Sequence, residues 1–387
     1  MTAAGLSDVH TEPVTAAAWA RVSESASIVS PPVAFSVTAL GGSVSTPKGG
    51  VRAPVVRFDS LLALQNAADL AGKIAFVDVS IVRAKDGHGY GDGVPVRING
   101  AIEASKKHAT AIVIRSVGTD HSRLPHTGVM RYEDGTAKIP AGALSTDDAD
   151  LLTRTLARDP NALLRLDLQT KTLGLVATAN VVGEVKGRGP GIVLLGGHLD
   201  SWDLGRGAVD DGAGIGIVLA AARGVLAQGT PKRTVRVVFF ASEENSGAGS
   251  KAYLEAHESE LDRHVAALES DHGAGMAYAV RFLGGPAATP SAKALLSGIP
   301  TIDWLDADAS GGADIAPLRE RGVPILDVLQ DASEYFDVHH TAADVPEAAD
   351  PKAMTHASCA VFEVASRLAN SDLDLGRIED GKRKQKW

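Results

Sequence analysis

The stretch from His198 to Glu244 constrains this chain more than any other. An imidazole at His198, paired carboxylates at Asp210-Asp211 and a second acidic pair at Glu243-Glu244 each stand beside a segment that reads as a strand end. An open α/β sheet gathers its chemistry at such ends, because the loops leaving the carboxyl edges of neighbouring strands converge. Acids grouped around a histidine are costly to bury unless something positive joins them, so the pattern implies a metal.

Regular alternation of strands and helices supports that architecture from about residue 170 onward. Ile192 to Leu195, Thr234 to Phe240, Val265 to Leu268 and Pro324 to Val328 read as strands. Gly212 to Val225, Gly249 to His257, Ala313 to Arg321 and Lys352 to Leu368 read as helices. The pattern predicts an α/β fold with a mixed, mostly parallel sheet flanked by helices. Ahead of it, Lys73 to Val79, Ala111 to Ile114, Ile139 to Leu144 and Leu164 to Leu168 read as strands, with helices at Ile98 to His108 and Asp147 to Leu156. That block has its own core pattern, with loops at Gly87 to Gly93 and Gly118 to Gly135. The expected division is 1–50 as an incomplete N-terminal part of the catalytic domain, 51–168 as an inserted β/α unit, and 169–387 as the catalytic domain.

A chain of 387 residues can bury two cores. Its net charge of −9 (38 basic against 47 acidic residues) argues against a nucleic-acid surface. No apolar run reaches the roughly twenty residues that span a bilayer, and the first residues lack the apolar core of a signal peptide. The single cysteine, Cys359, excludes a disulfide within the chain; lying in an apolar helical pattern, it is expected to be a buried, unreactive thiol. The run Lys382-Arg383-Lys384-Gln385-Lys386 is expected to be a solvated tail.

His198, Asp210, Glu243, Glu244, Asp271 and His340 share one property: each lies in a loop that follows a strand or enters the next helix. Two imidazoles with three carboxylates suit zinc better than magnesium or copper. Two divalent cations would offset three carboxylates and one hydroxide, leaving a neutral, buriable cluster. One member of the Glu-Glu pair then remains free to act as a general base. Asp200, two residues beyond His198, is placed to hydrogen-bond the other ring nitrogen and orient it. Taken singly, Asp-Asp-Gly is a turn signal and Glu-Glu a solvated helix start. Gly212-Ala213-Gly214-Ile215-Gly216 lacks the spacing and the preceding strand of a dinucleotide loop.

At these residues the chain resembles the co-catalytic zinc aminopeptidases of metallopeptidase family twenty-eight, and is most similar to the carboxypeptidase Q (plasma glutamate carboxypeptidase) branch. The resemblance rests on His198-Leu199-Asp200-Ser201-Trp202-Asp203, Asp210-Asp211-Gly212, Glu243-Glu244, Glu269-Ser270-Asp271, Gly322-Val323-Pro324 and His339-His340-Thr341. In the insert it rests on Pro125-His126-Thr127-Gly128 and Lys138-Ile139-Pro140, which resemble a protease-associated domain. It implies a zinc exopeptidase fold and two zinc ions. Asp210 would bridge them, His198 and Asp271 would hold one, Glu244 and His340 the other, and Glu243 would be the base. It further implies a cis Asp210-Asp211 peptide, a peptide substrate with a free N-terminus, a homodimer and a secreted or periplasmic setting. His339 stands where some relatives place an oxyanion-stabilising tyrosine, and Tyr335 is the other candidate for that role. The family carries helices and a Gly-Pro-Arg-x-x-Gly-Ser-like segment ahead of the sequence matching Gly5 to Val9. Met1 is therefore expected to be an internal methionine, with that segment and a secretion signal upstream. Two rival readings are a glutaminyl-cyclase-like transferase holding one zinc, and a binding protein whose catalysis is impaired by the missing segment.

Overall fold

Two strands of unusual length run through both parts of the molecule and tie them together. The computed structural model describes residues 1–384. In it β1 (Ser7–Val29) and β8 (Leu163–Val185) pair antiparallel over almost their whole length. The sequence reading found only short extended pieces here. The segment Thr15-Ala16-Ala17-Ala18 explains why, since alanine carries little strand signal and the facing residues 171–178 of β8 are exposed throughout. Register shifts near Ser7, Ala18 and Arg21 interrupt the ladder, as bulges do where a long ribbon must bend.

The first end of β8 belongs to a smaller sheet. Next to β1 lie β2 (Pro32–Phe35) and β3 (Val37–Ala39), followed by β4 (Val51–Phe58), β5 (Ile74–Val77), β6 (Ala111–Arg115) and β7 (Ala141–Leu144). The order is β8-β4-β5-β6-β7-β3, parallel from β4 to β7. The helix Thr146–Arg158 packs Ala149 and Leu152 on one face. The helix Tyr90–Lys106 packs Val96, Ala101 and Ala104 on the other. That second helix starts inside the expected Gly87–Gly93 loop, whose glycines hid it. The expected boundary at residue 50 does not follow the hydrogen bonding. Val37 to Ala39 pair with Gly142 to Leu144, and Ala26, Ile28 and Phe35 join the same core as Val51 and Val55.

The second end of β8 borders the larger sheet. Its strands are β9 (Ile192–His198), β10 (Thr234–Phe240), β11 (His264–Glu269), β12 (Ala277–Leu283), β13 (Asp303–Trp304) and β14 (Ile325–Gln330), in the order β13-β12-β14-β11-β9-β10-β8. The four strands β14, β11, β9 and β10 are parallel, and antiparallel neighbours flank them on both sides. Residues 192–195 and 234–240 are buried throughout, as a sheet covered on both faces requires. Helices Ala213–Ala227 and Pro351–Asn370 cover one face, where Ile217, Val361 and Val364 meet Val193, Leu195 and Val237. Tyr253 and Leu318 cover the other with Leu194, Val238 and Phe240. The sequence reading had neither β12, β13 nor the helix Thr289–Leu296.

Two smaller expectations are corrected. Cys359 is exposed, because the helix buries Ala353, Ala357, Ala360, Val361 and Val364 and the intervening phase of the turn faces solvent. The basic run is docked where it is described: Lys382 Nζ pairs with Asp308 at 2.8 Å and Arg319 donates to the Lys382 carbonyl at 2.9 Å. Gln385 and Lys386 lie outside the described residues. Among those described, no helix is long and apolar enough to cross a membrane.

Candidate metal centre

Chain order reverses at β9. The chain steps from β9 to β10 on one side and later to β11 and β14 on the other. The crevice outside the carboxyl ends of strands at such a switch point is where open α/β sheets bind ligands. His198 is the last residue of β9, Glu243 and Glu244 follow β10 after a left-handed Ser242, and Asp271 follows β11. His339 and His340 come after the short helix Tyr335–Val338 that follows β14. Asp210 comes from the loop after β9, through a cis peptide to Asp211.

Asp210 sits at the middle of the group. Its Oδ1 lies 3.1 Å from His198 Nε2, which is 3.6 Å from Asp271 Oδ1. Its Oδ2 lies 3.2 Å from His340 Nε2, which is 3.0 Å from Glu244 Oε2. One carboxylate is thus divided between two histidines, each with a further acid of its own. Potential ligand atoms of His198, Asp210 and Asp271 lie within 4.8 Å of one another, and so do those of Asp210, His339 and His340.

Both outer histidines are held in the same orientation by a backbone carbonyl. His198 Nδ1 donates to the Asp200 carbonyl at 2.8 Å, and His340 Nδ1 to the Thr127 carbonyl at 3.2 Å. Each Nε2 therefore points into the acids and is the nitrogen that would face a metal. His339 lacks this support. Its Nδ1 is buried without a partner among the described residues, and its ring stacks on His340 with centroids 3.5 Å apart. Burial, then the charge of His340, pushes His339 well below the ordinary histidine range, so it is neutral. Tyr335 places its ring 4.9 Å from that of His339, and burial keeps the phenol protonated.

The Asp200 expectation is half right. The backbone carbonyl, not the carboxylate, takes the imidazole proton. The carboxylate accepts instead from the amides of Glu243 at 3.0 Å and Glu244 at 3.3 Å, which fixes the turn that aims both acids. Glu244 is buried, while Glu243 is half-buried and makes none of the histidine contacts above. Burial, then the neighbouring Glu244 charge, lifts the Glu243 carboxyl well above the ordinary range. Burial acts on Asp210 too, but hydrogen bonds from His198 and His340 hold it well below.

Further acids frame the site. Asp211 accepts from the His198 amide at 3.0 Å and the Gly214 amide at 3.1 Å, binding the end of β9 to the start of the next helix. Asp344, four residues beyond His340, accepts from the amides of Val209 at 2.6 Å and Asp210 at 3.3 Å. The sequence offered only its spacing as a signal. Glu269 was noted only within its motif and Asp314 not at all; burial raises both carboxyls, Glu269 to about 8. His340 adopts φ 62°, a left-handed conformation that costs a non-glycine residue roughly 1–3 kcal/mol and persists only where its surroundings impose it.

Fold and donor set together define a metal-dependent hydrolase with its reaction centre at the carboxyl edge of a parallel sheet. Residues 180–365 match peptidase family M28. Carboxypeptidase Q of Mus musculus is 34% identical over 379 residues, which are 96% of this chain and 79% of that protein. Carboxypeptidase Q of Homo sapiens is 34% identical over 368 residues, 94% of this chain and 76% of that protein. A peptidase M28 precursor from Shewanella amazonensis SB2B superposes with a TM-score of 0.94 at 44% identity, covering 98% of this chain and 87% of the other. A zinc aminopeptidase from Bacillus subtilis shares the fold with a TM-score of 0.67 at 21% identity, covering 98% and 89%. The chain belongs to peptidase family M28 and is a metal-dependent exopeptidase.

Proposed function

We propose that this exopeptidase uses two zinc ions to hydrolyse dipeptides or short peptides with a free N-terminus. The division of Asp210 between His198 and His340 carries the reading. His198 and Asp271 would hold one ion, His340 and Glu244 the other, and Asp210 both. Buried oxygens that accept no hydrogen bond among the described residues fit such an occupant: Glu244 Oε1 and Asp271 Oδ1. When bound, zinc supplies Lewis-acid polarisation of the scissile carbonyl and lowers the pKa of water to about 7.

Glu243 accepts the proton of the attacking water as the new carbon–oxygen bond forms. It then delivers that proton to the amine nitrogen as the carbon–nitrogen bond breaks. His339, kept neutral by burial, is a candidate donor to the developing oxyanion, with Nε2 3.5 Å from Asp210 Oδ2; Tyr335 is the other. The excess of carboxylates around the site favours a substrate with a cationic end. Replacing Glu243 by Gln keeps shape and removes the base. Zinc content should persist while turnover falls by roughly 100-fold or more. Near-normal hydrolysis by Glu243→Gln removes Glu243 from this role.

Residues 51–168 fit a protease-associated-like insert, with support from their own sheet and flanking helices. A homodimer is part of the proposal, supported by the apolar residues Leu173, Leu175 and Val176 exposed on the β1/β8 ribbon. The family resemblance carries a secreted or periplasmic setting, which cell fractionation tests.

A further inference from the structure

We propose that His126, in the loop between β6 and β7, is a positioning residue of the metal centre that locks the His339-His340 backbone from the inserted unit. The inference rests on the reading that His340 is a ligand.

The loop from Gly118 to Gly135 crosses from the smaller sheet onto the strand-end crevice of the larger one. There His126 Nδ1 lies 2.7 Å from the His339 carbonyl, and Nε2 lies 2.8 Å from Asp120 Oδ1. A carbonyl can only accept, so Nδ1 donates to it, and Nε2 faces the Asp120 carboxylate. The ring is 1% exposed, and its own amide donates to Ser116 Oγ at 2.8 Å. Gly118 lies flat against it, where a Cβ would fall 2.2 Å from Nε2. The slot therefore depends on glycine at one wall and fixes the plane of the imidazole.

The next residue completes the clamp. Thr127 N donates to the His340 carbonyl at 3.0 Å, and Thr127 O accepts from His340 Nδ1 at 3.2 Å. Thr127 Oγ1 in turn donates to Ala39 O at 3.1 Å and receives Arg21 Nη2 at 3.2 Å. Consecutive insert residues thus grip consecutive carbonyls of 339 and 340 and hold Nδ1 of the ligand ring. A left-handed His340 needs such outside support, because that conformation is strained for a residue that carries a Cβ. Without the His126 donor, the His339 carbonyl is released. His340 Nε2 then drifts from Asp210 and Glu244, and the His340 side of the centre weakens while the His198 side does not.

Two replacements separate the ring's two bonds. The amide nitrogen of Asn overlays Nδ1 and can still reach the His339 carbonyl, whereas that of Gln overlays Nε2 and serves only Asp120. The test is competitive zinc titration of the whole protein with a chromogenic chelator, beside thermal unfolding. In His126→Gln one zinc should be held as in the wild type and the other released roughly 10–100-fold more readily, whereas His126→Asn should bind both as the wild type does. Equal weakening in both variants, or unaltered affinity in His126→Gln, overturns the proposal. Should the Gln variant fail to fold, wild-type binding by His126→Asn still supports the proposal and weakened binding overturns it. His340→Ala in the same titration reports on the ligand assignment separately. Loss of one zinc there with no change in His126→Gln overturns the positioning role alone, and no change in either overturns both.

Discussion

Asp344 shows how much of the centre depends on residues that touch no reacting atom. Its carboxylate receives the amides of Val209 and Asp210 and so fixes the backbone that carries the shared acid. Asp344→Ala leaves two buried donors without an acceptor, a loss of about 1–3 kcal/mol each. Differential scanning calorimetry should show a lower melting temperature in both zinc-loaded and chelator-treated protein. A second residue sets a pH dependence away from the centre. Burial lowers His264 to about 4, and its ring lies between the Tyr253 hydroxyl at 2.9 Å and the Glu260 carbonyl at 3.1 Å. Between the ordinary value of 6.5 and about 4, the unfolded chain binds a proton there that the folded chain does not. Stability is therefore present above that window and is lost as pH falls through it. The drop in melting temperature from pH 6.5 to 4 should be smaller in His264→Gln than in the wild type. At this scale the sequence was informative where chemistry restricts the choice. His198, Asp210, Glu243, Glu244, Asp271 and His340 could be picked out as candidates because acids and imidazoles at strand ends have few other uses. The Asp200 bond and the exposure of Cys359 were not legible, since one depends on which oxygen turns inward and the other on helical phase.

The helix Ala213–Ala227 positions the acids by its closeness to the sheet. A Cβ on Gly214 would fall 1.7 Å from the Ser270 carbonyl and 2.1 Å from Asp211 Oδ1. Gly214→Ala must therefore push the helix start away from both β11 and Asp211, at about 1–3 kcal/mol. Chemical denaturation should register that loss, and zinc retention should fall with it because Asp211 fixes the end of β9. Strands such as Thr234–Phe240 were legible from their β-branched and aromatic residues, interrupted only by Arg236. The helix Tyr90–Lys106 was only half legible, because Gly91, Gly93 and Pro95 obscure its first turns. β1 was missed because its buried positions are few and mostly small, with Val14 and Ala16 at one end and Ala26 and Ile28 at the other, which leaves little apolar signal between them.

The whole molecule is two sheets strung on one ribbon, with the metal centre where the smaller one reaches the larger. Sequence alone separates them by composition, yet hydrogen bonding joins residues 37–39 to the smaller sheet and brings Thr127 to His340. Those are contacts between distant segments, which periodicity cannot report. The ribbon leaves Leu173 at 56% and Leu175 at 76% exposure. If it is the dimer surface, Leu173→Glu with Leu175→Glu should give a monomer by light scattering with the fold retained. Above these details stands the claim that paired cations and a free base cleave next to a free amine. Its most direct test is the rate at which the zinc-loaded protein hydrolyses matched dipeptides with free and acetylated N-termini. The free dipeptides should be cleaved and the acetylated ones left intact, with all activity lost on chelation; equal rates on both, or activity that survives chelation, would contradict it.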